Sequence, residues 1–189
     1  MSVQNPRIEI RLSLQEIHLA RAVAIRRSAA RKFKLAAQMK RDRRNKAPLD
    51  SKSLVARVLA VVGEGSLKIG ILRAEAELAV SKYFGIPWDG RLIGDGDWAE
   101  DADEDVGPIE VRTTLHKTGR LIVHPKDDDD APFVLVRAHR SPIYEIIGWQ
   151  TGRECKKEEY WEDVGCGRPG FYLPNDKLRS LTESLFEHF

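Results

Sequence analysis

The ten residues from Asp105 to Thr114 constrain the fold more than any other part of the chain. They read Asp-Val-Gly-Pro-Ile-Glu-Val-Arg-Thr-Thr, and the alternation of apolar and charged residues after the Gly-Pro pair predicts a short β-strand. Because successive side chains of a strand point to opposite faces, Glu110 and Arg112 share one face. The Gly-Pro break allows Asp105 to fold back towards Glu110.

Two carboxylates beside a fixed cation are a plausible arrangement for holding Mg²⁺ against a phosphodiester. Asp105 and Glu110 supply the oxygen ligands that Mg²⁺ or Mn²⁺ prefers, and Arg112 supplies a positive charge for the phosphate. The same pattern also fits a strand with a surface ion pair that follows an acidic loop, and the ten residues alone leave both readings open.

The charge of the chain is unevenly distributed. Residues 1–46 contain thirteen Lys and Arg against three acids, a net charge of +10, whereas the remaining residues carry a net charge of −8. A basic segment on an acidic body predicts a polyanionic partner for the segment and divalent cations for the body.

A long basic helix is predicted near the N-terminus, after a short strand over residues 7–11. Ser13 and Glu16 form a capping box, and the helix is expected to continue to about residue 44. An apolar stripe at helical spacing comprises Leu12, Leu19, Val23, Ala30, Phe33 and Ala37. The helix ends in a basic cluster, Arg41, Arg43 and Arg44, which we expect to contact a phosphate backbone. The alternative is a helix that packs on the body.

Two further helices are predicted before the acidic loop over residues 88–107. Lys46–Leu49 breaks the first helix, a second follows to about Val62, and a third runs from about Ser66 to Phe84, ended by Gly85. Glu77 lies on a face of small residues of this third helix, which makes it a candidate second acid. The chain thus divides into a basic helical arm, residues 1–50, and a body, residues 51–189.

Strand patterns dominate the chain after Thr114. Strands are predicted over residues 120–125, 133–136 and 144–149, of which Phe133–Val136 is apolar enough to be central. A short edge strand over residues 171–174 and a closing helix from Asn175 follow. Two cysteines are too few for a disulfide framework or a zinc site. We find no secretory signal and no apolar run of about 18 residues, which predicts a cytoplasmic protein outside the membrane.

The order of these elements resembles the PD-(D/E)XK nuclease superfamily. The resemblance is carried by the helix with Glu77, by Asp105 at a strand entrance and by the acid-x-base strand Ile109–Thr114. Residues 70–174 also resemble a group of small uncharacterised phage-type proteins. The shared segments are Lys82-Tyr83, Asp105–Gly107, Val111–Thr113, Leu121–Pro125, Phe133–Val136, Gly148-Trp149, Gly152-Arg153, Gly167–Pro169 and Leu173-Pro174.

The resemblance implies an α/β (α+β) fold in which a mixed central β-sheet is flanked by helices, restriction-endonuclease-like, with the basic N-terminal helix added. It implies an enzyme, a Mg²⁺-dependent or Mn²⁺-dependent deoxyribonuclease, that works in the host cytoplasm if a phage encodes it. Asp105, Glu110 and Glu77 would bind the metal and Arg112 the scissile phosphate. Further candidate phosphate contacts are His116, Lys117 and Lys126.

One position departs from the superfamily pattern, because Arg112 stands where a lysine is usual. Arginine is always charged and forks onto phosphate, so it suits charge stabilisation better than activation of a water molecule. A catalytically inactive DNA-binding or accessory phage protein is therefore the alternative. The sequence leaves open whether the substrate is DNA or RNA, whether cleavage is endonucleolytic or exonucleolytic, and which sequence is preferred. It also leaves open the oligomeric state, which includes a homodimer.

Overall fold

The computed structural model describes residues 7–44, 64–88, 90, 105–163, 169–181 and 185, with the side chains of residues 33–44 and 64 left out. The chain divides into two compact units. The sheet unit comprises residues 1–14, 76–89 and 103–189, and the helical unit comprises residues 15–75 and 90–102. The predicted boundary at residue 50 stays a prediction, because residues 45–63 lie outside the described ranges, as does the second predicted helix.

The described elements make a mixed α+β protein, which confirms the predicted class. In chain order the strands are β1 (Ile8–Arg11), β2 (Glu110–Thr114), β3 (Leu121–Val123), β4 (Pro132–Arg140), β5 (Ile143–Thr151), β6 (Trp161–Glu162) and β7 (Gly170–Leu173). The helices are α1 (Leu14–Arg44), α2 (Glu64–Phe84) and the short α3 (Gly152–Cys155), and 3₁₀ turns occupy Glu158–Tyr160 and Asn175–Lys177.

The strands form two sheets in the sheet unit. The larger has the order β1-β5-β4-β2 and is mixed, since β2 runs parallel to β4 and the other neighbours are antiparallel. The apolar segment predicted to be central lies in β4, an internal strand whose first seven residues are buried. The smaller sheet has the order β3-β7-β6. The segment 171–174 was predicted as an edge strand, but β7 is the middle strand, because Phe171 pairs with both Val123 and Trp161.

One apolar cluster joins the two sheets. Leu121 and Val123 of β3 pack with Phe133 and Leu135 of β4 and with Leu173 of β7. Cys155 belongs to this cluster as a free thiol, and burial raises its pKa to about 12. The small sheet therefore packs on the face of the larger sheet that carries Phe133 and Leu135.

The predicted closing helix is wrong for the residues that the structure describes. A single 3₁₀ turn covers Asn175–Lys177, after which Arg179 pairs with Trp149 through two backbone hydrogen bonds of 3.1 and 2.9 Å. The indole of Trp149 also donates to the carbonyl of Ser180. Extended backbone is needed for these bonds, so they exclude a helix here even though Leu178 is buried as expected.

Helix α1 has the predicted span, but its buried face differs from the predicted stripe. Ile17, Ala20, Val23 and Ala24 are buried, whereas Leu19 is 54% exposed. At about 100° per residue, these positions centre roughly a quarter of a turn from the predicted stripe. The predicted stripe shares Val23 with this buried face but leaves out Ile17, Ala20 and Ala24.

Helix α2 ends where the sequence predicted. Gly85 has a φ of +68°, the left-handed conformation that favours glycine, and the Ile86 N–H donates to the carbonyl of Ser81 at 3.1 Å. Residues 74–81 are buried on all sides. Two glutamates lie in this buried stretch; in the helical unit, Glu75 is 1% exposed and accepts a 3.0 Å bond from Arg21.

Candidate functional site

A tight turn leads into β2 and brings Asp105 beside the strand. Val106 and Ile109 exchange two backbone hydrogen bonds of 3.0 Å, and Gly107 between them has a φ of +55°. The chain reverses, and Oδ2 of Asp105 accepts a 2.8 Å hydrogen bond from the Val111 N–H. The predicted return of Asp105 towards the strand is thereby observed, and it results from Gly107, which adopts the positive φ without strain.

Glu110 is the first residue of β2 and is buried, with 9% of its surface exposed. Its pKa is raised from 4.5 to about 7, mainly by burial and then by the negative charges of Asp105 and Asp127, while Arg112 partly opposes these effects. Two carboxylates are therefore held close enough to repel each other. A positive charge at this point would relieve the repulsion and return Glu110 to its ionised form.

Arg112 connects β2 to β3 and to the following turn. Its Nη1 donates to Oε2 of Glu110 at 2.7 Å, its Nη2 donates to Oδ2 of Asp127 at 2.8 Å, and its Nε donates to the carbonyl of Ile122 at 3.2 Å. The guanidinium also lies 4.9 Å from the centre of the Phe133 ring. Burial lowers the pKa of Arg112, but the two carboxylates raise it above the ordinary value. Glu110 and Arg112 thus share a face, as predicted.

Asp127 is part of this arrangement, and the sequence analysis missed it. Its Oδ2 also accepts a 2.8 Å bond from the His124 N–H, which closes the turn after β3. Lys156 stabilises the same turn, because its Nζ donates to the carbonyls of Asp127 and Pro125 and to Oδ1 of Asp129. No spacing rule links Asp127 to Arg112. The acidic run over residues 127–130 was the signal, but it did not show which aspartate turns inwards.

Gly152 determines how closely α3 approaches this turn. A Cβ atom added at Gly152 would lie 2.0 Å from the carbonyl oxygen of Asp128, so only glycine fits there. Since Lys156 follows α3 directly, the short helix and the turn form one support for Asp127.

The structure describes the side chains of four further predicted site residues. Glu77 is 4% exposed and its Oε2 accepts a 3.0 Å bond from the indole of Trp88, so its part in a metal site stays a prediction. His116 and Lys117 are exposed in the turn after β2, and Lys126 is exposed beside Asp127. The side chains of three further candidates lie outside the described residues: Arg41, Arg43 and Arg44.

The described residues contain no group of three or more His, Cys, Asp or Glu side chains arranged to hold a metal ion. No helix in the described ranges is both long and apolar enough to cross a membrane. No protein-family model matches the chain, and neither a curated protein nor a solved structure does.

Proposed function

We propose that this protein hydrolyses phosphodiester bonds in DNA with the help of Mg²⁺ or Mn²⁺, on a restriction-endonuclease-like core of the PD-(D/E)XK type. One observation carries the proposal: the buried Glu110 has a pKa of about 7 and lies beside Asp105. Carboxyl groups kept together against their own repulsion are typical of sites that act on a cation or a proton.

The donor set fits a hard divalent cation. Asp105 and Glu110 offer carboxylate oxygens, which Mg²⁺ and Mn²⁺ prefer over nitrogen or sulfur. Such an ion would neutralise charge on the phosphate and lower the pKa of bound water. The hydrogen bond from the Val111 N–H fixes Oδ2 of Asp105 at the start of β2, beside Glu110. The cytoplasm, where Mg²⁺ is abundant, is the proposed place of action.

Arg112 provides the positive charge of the site. A guanidinium has five N–H donors, and three of them donate to Glu110, Asp127 and Ile122. Within the described ranges, these three bonds leave two N–H groups for a phosphate oxygen while the side chain keeps its position. A charge that is already fixed loses little conformational freedom when the substrate binds, which favours stabilisation of a developing negative charge.

A second candidate function is a nuclease-like module that binds DNA but does not cut it. The observation in its favour is the use of Arg112 as a structural link, since the guanidinium joins β2 to β3 and stacks on Phe133. A lysine could not make these contacts together, so the arginine is explained by structure alone.

Digestion of plasmid and linear DNA separates the two candidates. The wild type, Glu110→Gln and a control variant at an exposed acid, Glu158→Gln, are each incubated with Mg²⁺, with Mn²⁺ or with EDTA. The first candidate predicts metal-dependent cleavage by the wild type and the control, and loss of cleavage in Glu110→Gln. A wild type that binds DNA and never cuts it would favour the second candidate, and equal cleavage by all three would remove the proposed site.

A further inference from the structure

The face of the large sheet that carries Glu110 and Arg112 continues across the sheet to β1. Thr114, two residues after Arg112, is paired with Arg137 of β4, Arg137 with Glu145 of β5, and Glu145 with Glu9 of β1. Residues directly opposite each other on neighbouring strands share a face. The candidate site and this row of residues therefore lie on the same side of the sheet.

The next row along the same face adds two exposed arginines. Ile143, two residues before Glu145 on β5, is paired with Arg11 on β1 and, beyond a register shift that follows Arg137, with Arg140 on β4; both arginine side chains are exposed. Arg7 lies two residues before Glu9 and hence on the same side of β1. We call the four residues Arg7, Arg11, Arg137 and Arg140 the arginine face.

Positive charge exceeds negative charge at this face. Arg137 donates to Oε2 of Glu145, Nη1 of Arg7 lies 3.9 Å from the same oxygen, and Nε2 of His139 lies 3.7 Å from Oε1. Two or three cations thus converge on one carboxylate. With Glu9 included, the four arginines face two glutamates, which leaves a net charge of +2 before any contribution from His139.

Arg137 adds an independent indication. Its side chain is 8% exposed, and its Nε is buried without a hydrogen-bond partner. An unpaired donor in a buried guanidinium costs free energy, and an anion close by would offset part of that cost through its charge.

We propose that the arginine face is a binding surface for the phosphate backbone of duplex DNA. The inference rests on the proposed function for the identity of the polyanion, because the face is continuous with the candidate phosphodiester site through Thr114 and Arg137. The charge of the face is complementary to a phosphate backbone, which releases bound counterions when cations replace them. None of the phosphate contacts predicted from the sequence belongs to this face: Arg41, Arg43 and Arg44 lie at the end of α1, and His116, Lys117 and Lys126 lie in the turns after β2 and β3.

The test measures the salt dependence of DNA binding in EDTA, where cleavage does not interfere. The test variant carries Arg7→Gln, Arg11→Gln and Arg140→Gln, which leave the buried Arg137 in place. A control variant, Arg153→Gln with Lys157→Gln and Lys177→Gln, removes the same charge from exposed positions after β5. Fluorescence anisotropy of a short labelled duplex across a KCl series gives the log–log slope for each protein, and circular dichroism verifies the fold.

The proposal predicts that the slope of the test variant falls by roughly one to three, at about 0.9 for each lost phosphate contact, while the control keeps the wild-type slope. An unchanged slope, or an equal fall in both variants, would overturn it. A membrane surface would be the partner instead if the wild type binds phosphatidylserine vesicles, the test variant loses that binding, and the DNA slope of the test variant is unchanged. That result would also overturn the proposal. A specific fall in slope together with an absence of cleavage in Mg²⁺ and Mn²⁺ would refute the proposed function and leave the arginine face standing.

Discussion

Replacement of Glu110 by glutamine should make the stability of the protein less dependent on pH. In the folded protein the pKa of Glu110 is about 7, against 4.5 for an unperturbed glutamate. A raised carboxyl pKa means that the folded state binds the proton more tightly than the unfolded state. The stabilisation is therefore complete below about pH 4.5 and is lost as the pH rises through 7. Above that range, the ionised Glu110 destabilises the fold.

The shift of about 2.5 units sets the size of the effect. At about 1.4 kcal/mol per unit, ionisation of Glu110 costs on the order of 3 kcal/mol at pH 8. Glutamine keeps an oxygen that can accept from Arg112, and Asp127 continues to balance the guanidinium charge. The variant should therefore gain up to about 3 kcal/mol over the wild type between pH 4.5 and pH 8.

Urea unfolding at several pH values measures this gain, with Glu158→Gln as the control at an exposed position. The difference between two stability curves removes the contributions of titrating groups that do not interact with Glu110, and any constant cost of the substitution drops out. If the curves of Glu110→Gln and the wild type are parallel from pH 4.5 to pH 8, Glu110 is not held in a raised-pKa environment and the electrostatic argument for the site is wrong.

Three further predictions concern the same site. Asp105→Asn keeps an acceptor for the strand but removes the charge beside Glu110, so the pKa of Glu110 from pH-dependent unfolding should fall, and an unchanged value would contradict the contact. Arg112→Ala should lose most DNA cleavage and lower the free energy of unfolding in urea by about 3 kcal/mol, because it leaves buried charge unpaired. Arg112→Lys should keep measurable cleavage. Full activity of the alanine variant would refute the role of Arg112 in stabilising charge on the phosphate. Gly152→Ala should destabilise the protein by roughly 2–4 kcal/mol because its Cβ meets a backbone carbonyl. Gly70→Ala should not destabilise it, because among the described residues a Cβ at Gly70 meets no atom within 4 Å apart from its chain neighbours and its own helix backbone.

Local rules predicted the local parts of this protein. Alternation along β2 placed Glu110 and Arg112 on one face, and the glycine after Phe84 marked the end of α2. Both results depend on residues close together in the chain, where strand geometry and glycine conformation decide the outcome.

Long-range packing explains what the sequence did not reveal. The middle position of β7 depends on β3 and β6 arriving on either side of it, and Asp127 reaches Arg112 only because the turn after β3 lies against β2. The sequence did not reveal the arginine face for the same reason, since Arg7 and Arg11 lie at either end of β1 whereas Arg137 and Arg140 lie in β4, more than a hundred residues later in the chain. The charge distribution along the chain placed Arg7 and Arg11 in the basic helical arm, so their pairing with the sheet was not expected.

The most direct test of the account is the binding of Mn²⁺ to the free protein, measured by electron paramagnetic resonance. The wild type is compared with a double variant, Asp105→Asn with Glu110→Gln, and with a double control at exposed acids, Glu158→Gln with Glu159→Gln. The account predicts that the wild type and the control bind Mn²⁺ alike and that the double variant loses one binding event per chain. Equal Mn²⁺ binding by all three proteins would contradict the claim that Asp105 and Glu110 form a metal site.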